Sequence, residues 1–132
     1  RNILPLRISM LTGCDGIEEF KGRGLATGMG NDHLRLGGVK IALDESTGCP
    51  HPPQEELNYH ALAAHEAGFQ PAFHVNDVYT LQAALTSLDF VLQKLPRPDH
   101  RHRLEHCAVC PPGLLDKLGE SGAVIVTQPS FL

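Results

Sequence analysis

The chain has 132 residues, enough for one ordinary domain, and 42% apolar residues, enough to build a core. Its net charge of −4 leaves no basic footprint, which excludes nucleic acid as the main partner, and no apolar run is long enough to span a bilayer. Four cysteines and no charged-then-apolar leader point to a reducing cytoplasm rather than to a disulfide scaffold, a membrane or secretion.

In chain order, Ile3–Leu11 reads as a strand, with Pro5 near its start where a missing N–H is tolerated. Asp15–Phe20 is a helical turn, followed by the glycine-studded stretch Gly22–Gly30. Leu34–Leu43 is the next strand. Ser46–Pro53 is a loop, because Gly48, Pro50, Pro52 and Pro53 exclude regular structure. Pro53 then suits the first turn of a helix, with Glu55 and Glu56 near its positive end. That helix passes through Leu57, Ala61, Ala64 and Ala67 and stops at Gly68. Gln70–Val75 is a strand, and Val78–Leu95 a helix with Leu81, Ala84, Leu85, Leu88, Val91, Leu92 and Leu95 at helical spacing. Pro96 and Pro98 end it. Arg103–Cys107 is a strand, Pro111–Leu118 a short helix, and Ala123–Val126 a last strand with no helix after it. Starting at Arg1 in what reads as mid-strand, the sequence is expected to be a piece of something larger.

Strands alternating with helices in this rhythm predict an α/β fold with a parallel sheet of about five strands and crossover helices. An open doubly wound sheet and part of a (β/α)8 TIM-type barrel compete. A doubly wound nucleotide binder carries a glycine fingerprint between its first strand and helix, and none is present. A barrel gathers its site at the carboxyl ends of successive strands. Three polar residues fall there: Lys40, His74 and His106, each near the end of an apolar run. Their spacings, 74 − 40 = 34 and 106 − 74 = 32, match one strand–helix unit of roughly thirty residues. The barrel is the better fit.

Alternation along the Lys40 strand puts Val39, Ile41 and Leu43 toward the helices, with Gly38, Lys40, Ala42 and Asp44 on the lumen face. The same rule sends Phe73 and Val75 outward, and Ala72 and His74 inward. Applied to Arg103–Cys107, it puts Leu104 and His106 inward and Glu105 toward the helices, where Arg103 would neutralise it. A lone strand histidine is usually a hydrogen-bonded core residue, and a lone lysine a snorkelling surface one. Three of them sharing one rim point instead to a metal site.

The segments Leu36–Asp44, Ala64–His74, His100–Cys107 and Thr127–Phe131 resemble metal-dependent hydrolases of the amidohydrolase superfamily, in its YtcJ-like branch, over nearly the whole chain and in the expected order. The resemblance implies a (β/α)8 barrel with one or two divalent metals, usually zinc, and hydrolysis of a C–N bond in an amide, carbamate or cyclic imide through metal-activated water. Lys40 matches the strand-four lysine that many members carboxylate to bridge two metals. His74 and His106 match the histidine ligands of strands five and six. Asp44 and Gln128 are candidate contacts for a small-molecule substrate. The chain would then be a central segment, about strands three to seven. The family's first histidine pair and its strand-eight aspartate have no counterpart, so the chain alone is expected to be inactive, with Lys40 uncarboxylated. It is also expected to form a homo-oligomer through its two open edge strands.

Other signals are weaker. His100-Arg101-His102 imitates the histidine pair but precedes its strand, so it reads as solvated loop at the opposite rim. Val75-Asn76-Asp77-Val78 departs from the family's pattern and leaves Asp77 without an expected substrate role. Gly22–Gly30 resembles a phosphate loop but leads into a strand, not a helix N-terminus. Two rival functions remain: a non-catalytic barrel piece that binds a metal or a partner, and a redox domain built on Cys107-Ala108-Val109-Cys110.

Overall fold

The computed structural model describes residues 5–46 and 49–131. Its elements in chain order are β1 (Ile8–Gly13), α1 (Ile17–Gly22), β2 (Leu34–Ile41), β3 (Asp44–Ser46), β4 (Cys49–His51), α2 (Gln54–Glu66), β5 (Pro71–Val75), α3 (Val78–Lys94), β6 (Arg103–His106), α4 (Pro112–Glu120) and β7 (Val124–Val126). A five-stranded parallel sheet runs β1-β2-β5-β6-β7. Spatial order therefore follows chain order with no reversal, as in an arc of a barrel. A doubly wound sheet would reverse direction at a switch point.

The core forms where the alternating branched residues meet two helices. Val39, Ile41, Phe73, Val75 and Leu104 from the sheet pack with Leu57, Ala61 and Ala64 of α2 and Leu81, Ala84, Leu85 and Val91 of α3, all buried. The apolar spacing read from the sequence for α3 holds up to Val91. Leu95 lies at its C-cap and is exposed, because the helix ends at Lys94. Asp77 starts α3 with a capping box: its carboxylate accepts from Thr80 N–H at 2.8 Å, while Thr80 Oγ1 accepts from Asp77 N–H at 3.1 Å. That is a structural role for Asp77.

Gly38 is required by a close approach between strands. A Cβ there would lie 2.2 Å from the Gln70 carbonyl oxygen, the acceptor for Val39 N–H. The glycine stretch before β2 also has a structural explanation. Gly28 N–H donates to Leu36 O and Leu36 N–H to Met29 O, so the loop folds back along β2, with Gly24, Gly28 and Gly30 at positive φ.

Two expectations about elements need correction. The proline-rich stretch Ser46–Pro53 is not simply a loop: Asp44–Ser46 and Cys49–His51 pair antiparallel, with Glu45 opposite Pro50. A two-stranded ribbon has an outer edge on each strand, and proline is tolerated at such an edge. Thr47 and Gly48 lie outside the described residues. The first strand begins at Ile8, where β2 supplies its first partner in Leu34, and Ile3 and Leu4 of the expected strand lie outside the described residues.

Candidate functional site

Parallel strands in chain order bring their carboxyl ends to one rim. Lys40 lies near the end of β2, His74 near the end of β5, His106 ends β6, and Gln128 follows β7 by two residues. Lys40 pairs in register with Ala72, and His74 with Glu105. The lumen face thus carries Lys40, His74, Arg103 and Glu105, all beside one another on neighbouring strands.

This corrects the parity expected for β6. Leu104 pairs with Phe73 and lies in the helix-side core, so Glu105 points to the lumen and not to the helices. Arg103 does neutralise it, donating from Nε to Oε1 at 2.6 Å and from a second guanidinium nitrogen to Oε2 at 3.1 Å. On alternation alone His106, which pairs with Val75, would face the helices. It does not, because the chain turns left-handed there: φ is 73° at His106 and 46° at Cys107. The kink swings the His106 ring to within 4.6 Å of the His74 ring, centroid to centroid, at an interplanar angle of 77°. Non-glycine residues in this region are strained by roughly 1–3 kcal/mol each and persist where surroundings impose them.

Hydrogen bonds orient both rings. His106 Nδ1 lies 2.7 Å from Gln128 Oε1, and Asn76 Nδ2 lies 2.8 Å from His74 Nε2. The site is also tuned toward uncharged donors. Burial, then the charges of Lys40 and His106, hold His74 below the usual histidine range. Burial likewise lowers Lys40, with Glu105 opposing the shift and Arg103 adding to it. Among the described residues, no three His, Cys, Asp or Glu side chains converge closely enough to hold a metal ion.

Asp44 falls at the same rim as Lys40. Both line a cavity of about 400 Å³ whose walls also include Asp15, His51, Glu56 and His60, and neither His74 nor His106. Gln128, expected as a substrate contact, touches His106. Asn76 was not singled out in the sequence; its position two residues after His74 on the same strand end was the available signal.

The other two motifs resolve differently. His102 is not solvated: it is 1% exposed, its Nε2 is 2.7 Å from His65 Nδ1, and it lies at the start of β6, away from the rim. Cys107 and Cys110 are half-buried free thiols, and burial and Cys110 push the Cys107 thiol up. A reactive cysteine needs the opposite shift, so the Cys107 thiol lacks the activation a redox nucleophile requires.

A family model for the amidohydrolase family matches residues 1–132, the whole chain. The chain belongs to the amidohydrolase family. The match agrees with the resemblance to its YtcJ-like branch. No curated protein matches the chain. Two solved structures are similar to this amidohydrolase chain: an uncharacterized metal-dependent hydrolase from Pyrococcus furiosus, at 18% identity and a TM-score of 0.79, and one from Pyrococcus horikoshii OT3, at 19% and 0.77. The likeness covers 97% and 95% of this chain, but only 30% and 28% of those proteins. The five strands and their crossover helices are thus part of a TIM-type barrel. Among the described residues, no helix is long and apolar enough to cross a membrane.

Proposed function

We propose that this chain forms the central part, about strands three to seven, of a hydrolase that cleaves C–N bonds in amides, carbamates or cyclic imides with the help of a divalent metal, zinc by preference. One observation carries the reading: two imidazoles meet edge to face at 4.6 Å on adjacent strand ends, beside a lysine whose protonation burial disfavours. The likeness to two Pyrococcus metal-dependent hydrolases supports it.

The donor set fits such a metal. Neutral imidazole is a good zinc ligand, and the lowered His74 favours that neutral form, its Nε2 lone pair accepting from Asn76 Nδ2 in a bond that a metal on Nε2 would displace. Zinc prefers four donors, so two rings supply half a shell. Lys40 is assigned to contribute as its carbamate, formed when the neutral amine adds carbon dioxide and releases a proton. Its lowered proton affinity favours that neutral form. Remaining ligands and the general base would come from strands outside this segment. When bound, the metal supplies a hydroxide-like water near neutral pH and polarises the scissile carbonyl. The Arg103–Glu105 pair keeps opposite charges fixed on the lumen wall, and Asp44, on the cavity beside Lys40, is assigned to the small-molecule substrate. The reduced thiols Cys14, Cys107 and Cys110 suit the cytoplasmic setting assigned here.

The direct test is metal removal from the full-length protein, assayed on a panel of amides, carbamates and cyclic imides. Chelation is expected to abolish hydrolysis and zinc to restore it. Turnover that persists in fully metal-stripped protein would overturn the reading.

The sheet's ends bear on assembly. β1 and β7 are its outer strands and expose Ile8, Met10, Val124 and Ile125. In a closed barrel such edges are paired. The 132-residue chain, produced alone, is expected to self-associate across them. Sedimentation over a concentration series checks this; a monomer at every concentration would count against the barrel-segment assignment.

A further inference from the structure

The rim has an unusual feature: His106 reaches His74 only because the backbone is left-handed at two successive non-glycine residues. Cys107 N–H donates to Glu105 O at 3.0 Å, closing a tight turn around His106. The ring itself is bonded to Gln128, on the neighbouring strand end. Gln128 Oε1 can only accept, so His106 Nδ1 must carry the proton, and Nε2 then carries the lone pair.

We propose that Gln128 is a positioning residue: its side-chain carbonyl holds the His106 Nδ1–H, fixing both the ring's tautomer and its place beside His74, so that Nε2 is the nitrogen presented to a divalent cation. This rests on the reading of His106 as a metal ligand. A ligating histidine commonly donates its second N–H to a fixed acceptor, which sets the ring's orientation and raises its basicity. Here the acceptor is a neutral amide on β7's extension, so the β6 and β7 ends are coupled through the ring. The same bond opposes the backbone strain at His106 and Cys107, which would otherwise relax by turning the ring away from His74. It also explains why a glutamine at a strand end contacts protein and not open lumen.

The test uses imidazole-labelled full-length protein and has a readout that needs no metal. Two-bond proton–nitrogen correlation spectra of the metal-free protein should show His106 with a protonated Nδ1 and an unprotonated Nε2, the minor tautomer of a free neutral histidine side chain. Gln128→Leu should return the ring to the Nε2-protonated form and weaken zinc or cobalt binding by about 10–100-fold. Gln128→Glu, which keeps an acceptor oxygen at the same reach, should retain the Nδ1 proton and most of the affinity. Backbone amide spectra of each variant identify any that fails to fold, and the wild-type tautomer remains decisive in that event. A wild-type His106 protonated at Nε2, or a tautomer unchanged in a folded Gln128→Leu variant, would overturn the proposal. If the tautomer behaves as stated but His106→Asn leaves cobalt affinity untouched, the positioning bond stands and the ligand reading fails.

Discussion

Asparagine in place of His74 or His106 is expected to weaken zinc or cobalt binding by more than about 100-fold, beyond the roughly 10–100-fold loss that follows removal of a supporting contact. Hydrolysis by the full-length protein should fall to the level of the metal-stripped wild type. Both rings stand at strand ends outside the apolar cluster, which is built by their neighbours Phe73, Val75 and Leu104. Stability should therefore change by less than about 1 kcal/mol, since the substitutions remove no core contact. The two losses should not add: once one ring is gone the shared ion is gone, and the second substitution has little left to remove. Titrations of each single variant and of the double variant measure this. Wild-type affinity in either single variant would remove that ring from the site, and additive losses would mean that the two rings serve different ions.

The residues of this rim were legible in the sequence because Lys40, His74 and His106 each fall near the end of a short strand-like run. Spacing of about one strand–helix unit then put Lys40, His74 and His106 at the same end. What alternation could not supply was the path by which His106 gets there. The period-two rule assigned Leu104 and His106 to one face, yet the backbone departs from extended geometry at His106, so Leu104 goes to the core and Glu105 to the lumen. A left-handed residue leaves no trace in a string of side-chain types when it is not glycine, asparagine or aspartate. The β3–β4 ribbon was hidden for a different reason. Pro50 excludes a central strand, and nothing in composition distinguishes a loop from a two-stranded ribbon whose edge tolerates it.

His102 illustrates the same limit and leads to a strong expectation about acid stability. A histidine between two arginines in a polar stretch reads as solvated, but folding inserts it between α2 and the start of β6. The hydrogen bonds fix the protons of three rings in turn. His65 Nε2 faces the Leu95 carbonyl at 3.0 Å, so it must donate, which leaves His65 Nδ1 to accept from His102 Nε2–H at 2.7 Å. His102 N–H donates to His100 Nδ1 at 3.0 Å, and His100 Nε2–H donates to Ser121 O at 3.0 Å. His102 Nδ1 is then a buried lone pair, and among the described residues it has no hydrogen-bond partner. Protonating it would create a buried cation with no acceptor, beside His100, His65 and the Arg97 guanidinium. Burial, followed by those charges, drives His102 down to about 3. His65 is lowered as well, by burial and Arg97, with Glu66 opposing.

The sign follows from proton counts. Between pH 6.5 and about 3 the unfolded chain protonates His102 and the folded chain does not, so acid favours unfolding. The stabilisation is complete above the unfolded value and is lost as pH falls toward the folded one. Each pH unit below 6.5 should cost roughly 1.4 kcal/mol from this group alone, or about 2 kcal/mol by pH 5. Urea unfolding of the protein at pH 7.5, 6 and 5 measures it as a falling midpoint at constant slope. In His102→Gln the side-chain amide can still donate to His65 Nδ1 but cannot titrate. That variant should be weaker than wild type at pH 7.5 and show a flatter decline toward pH 5. An equal decline in the two proteins would place the acid sensitivity elsewhere and leave the histidine cluster a packing feature only.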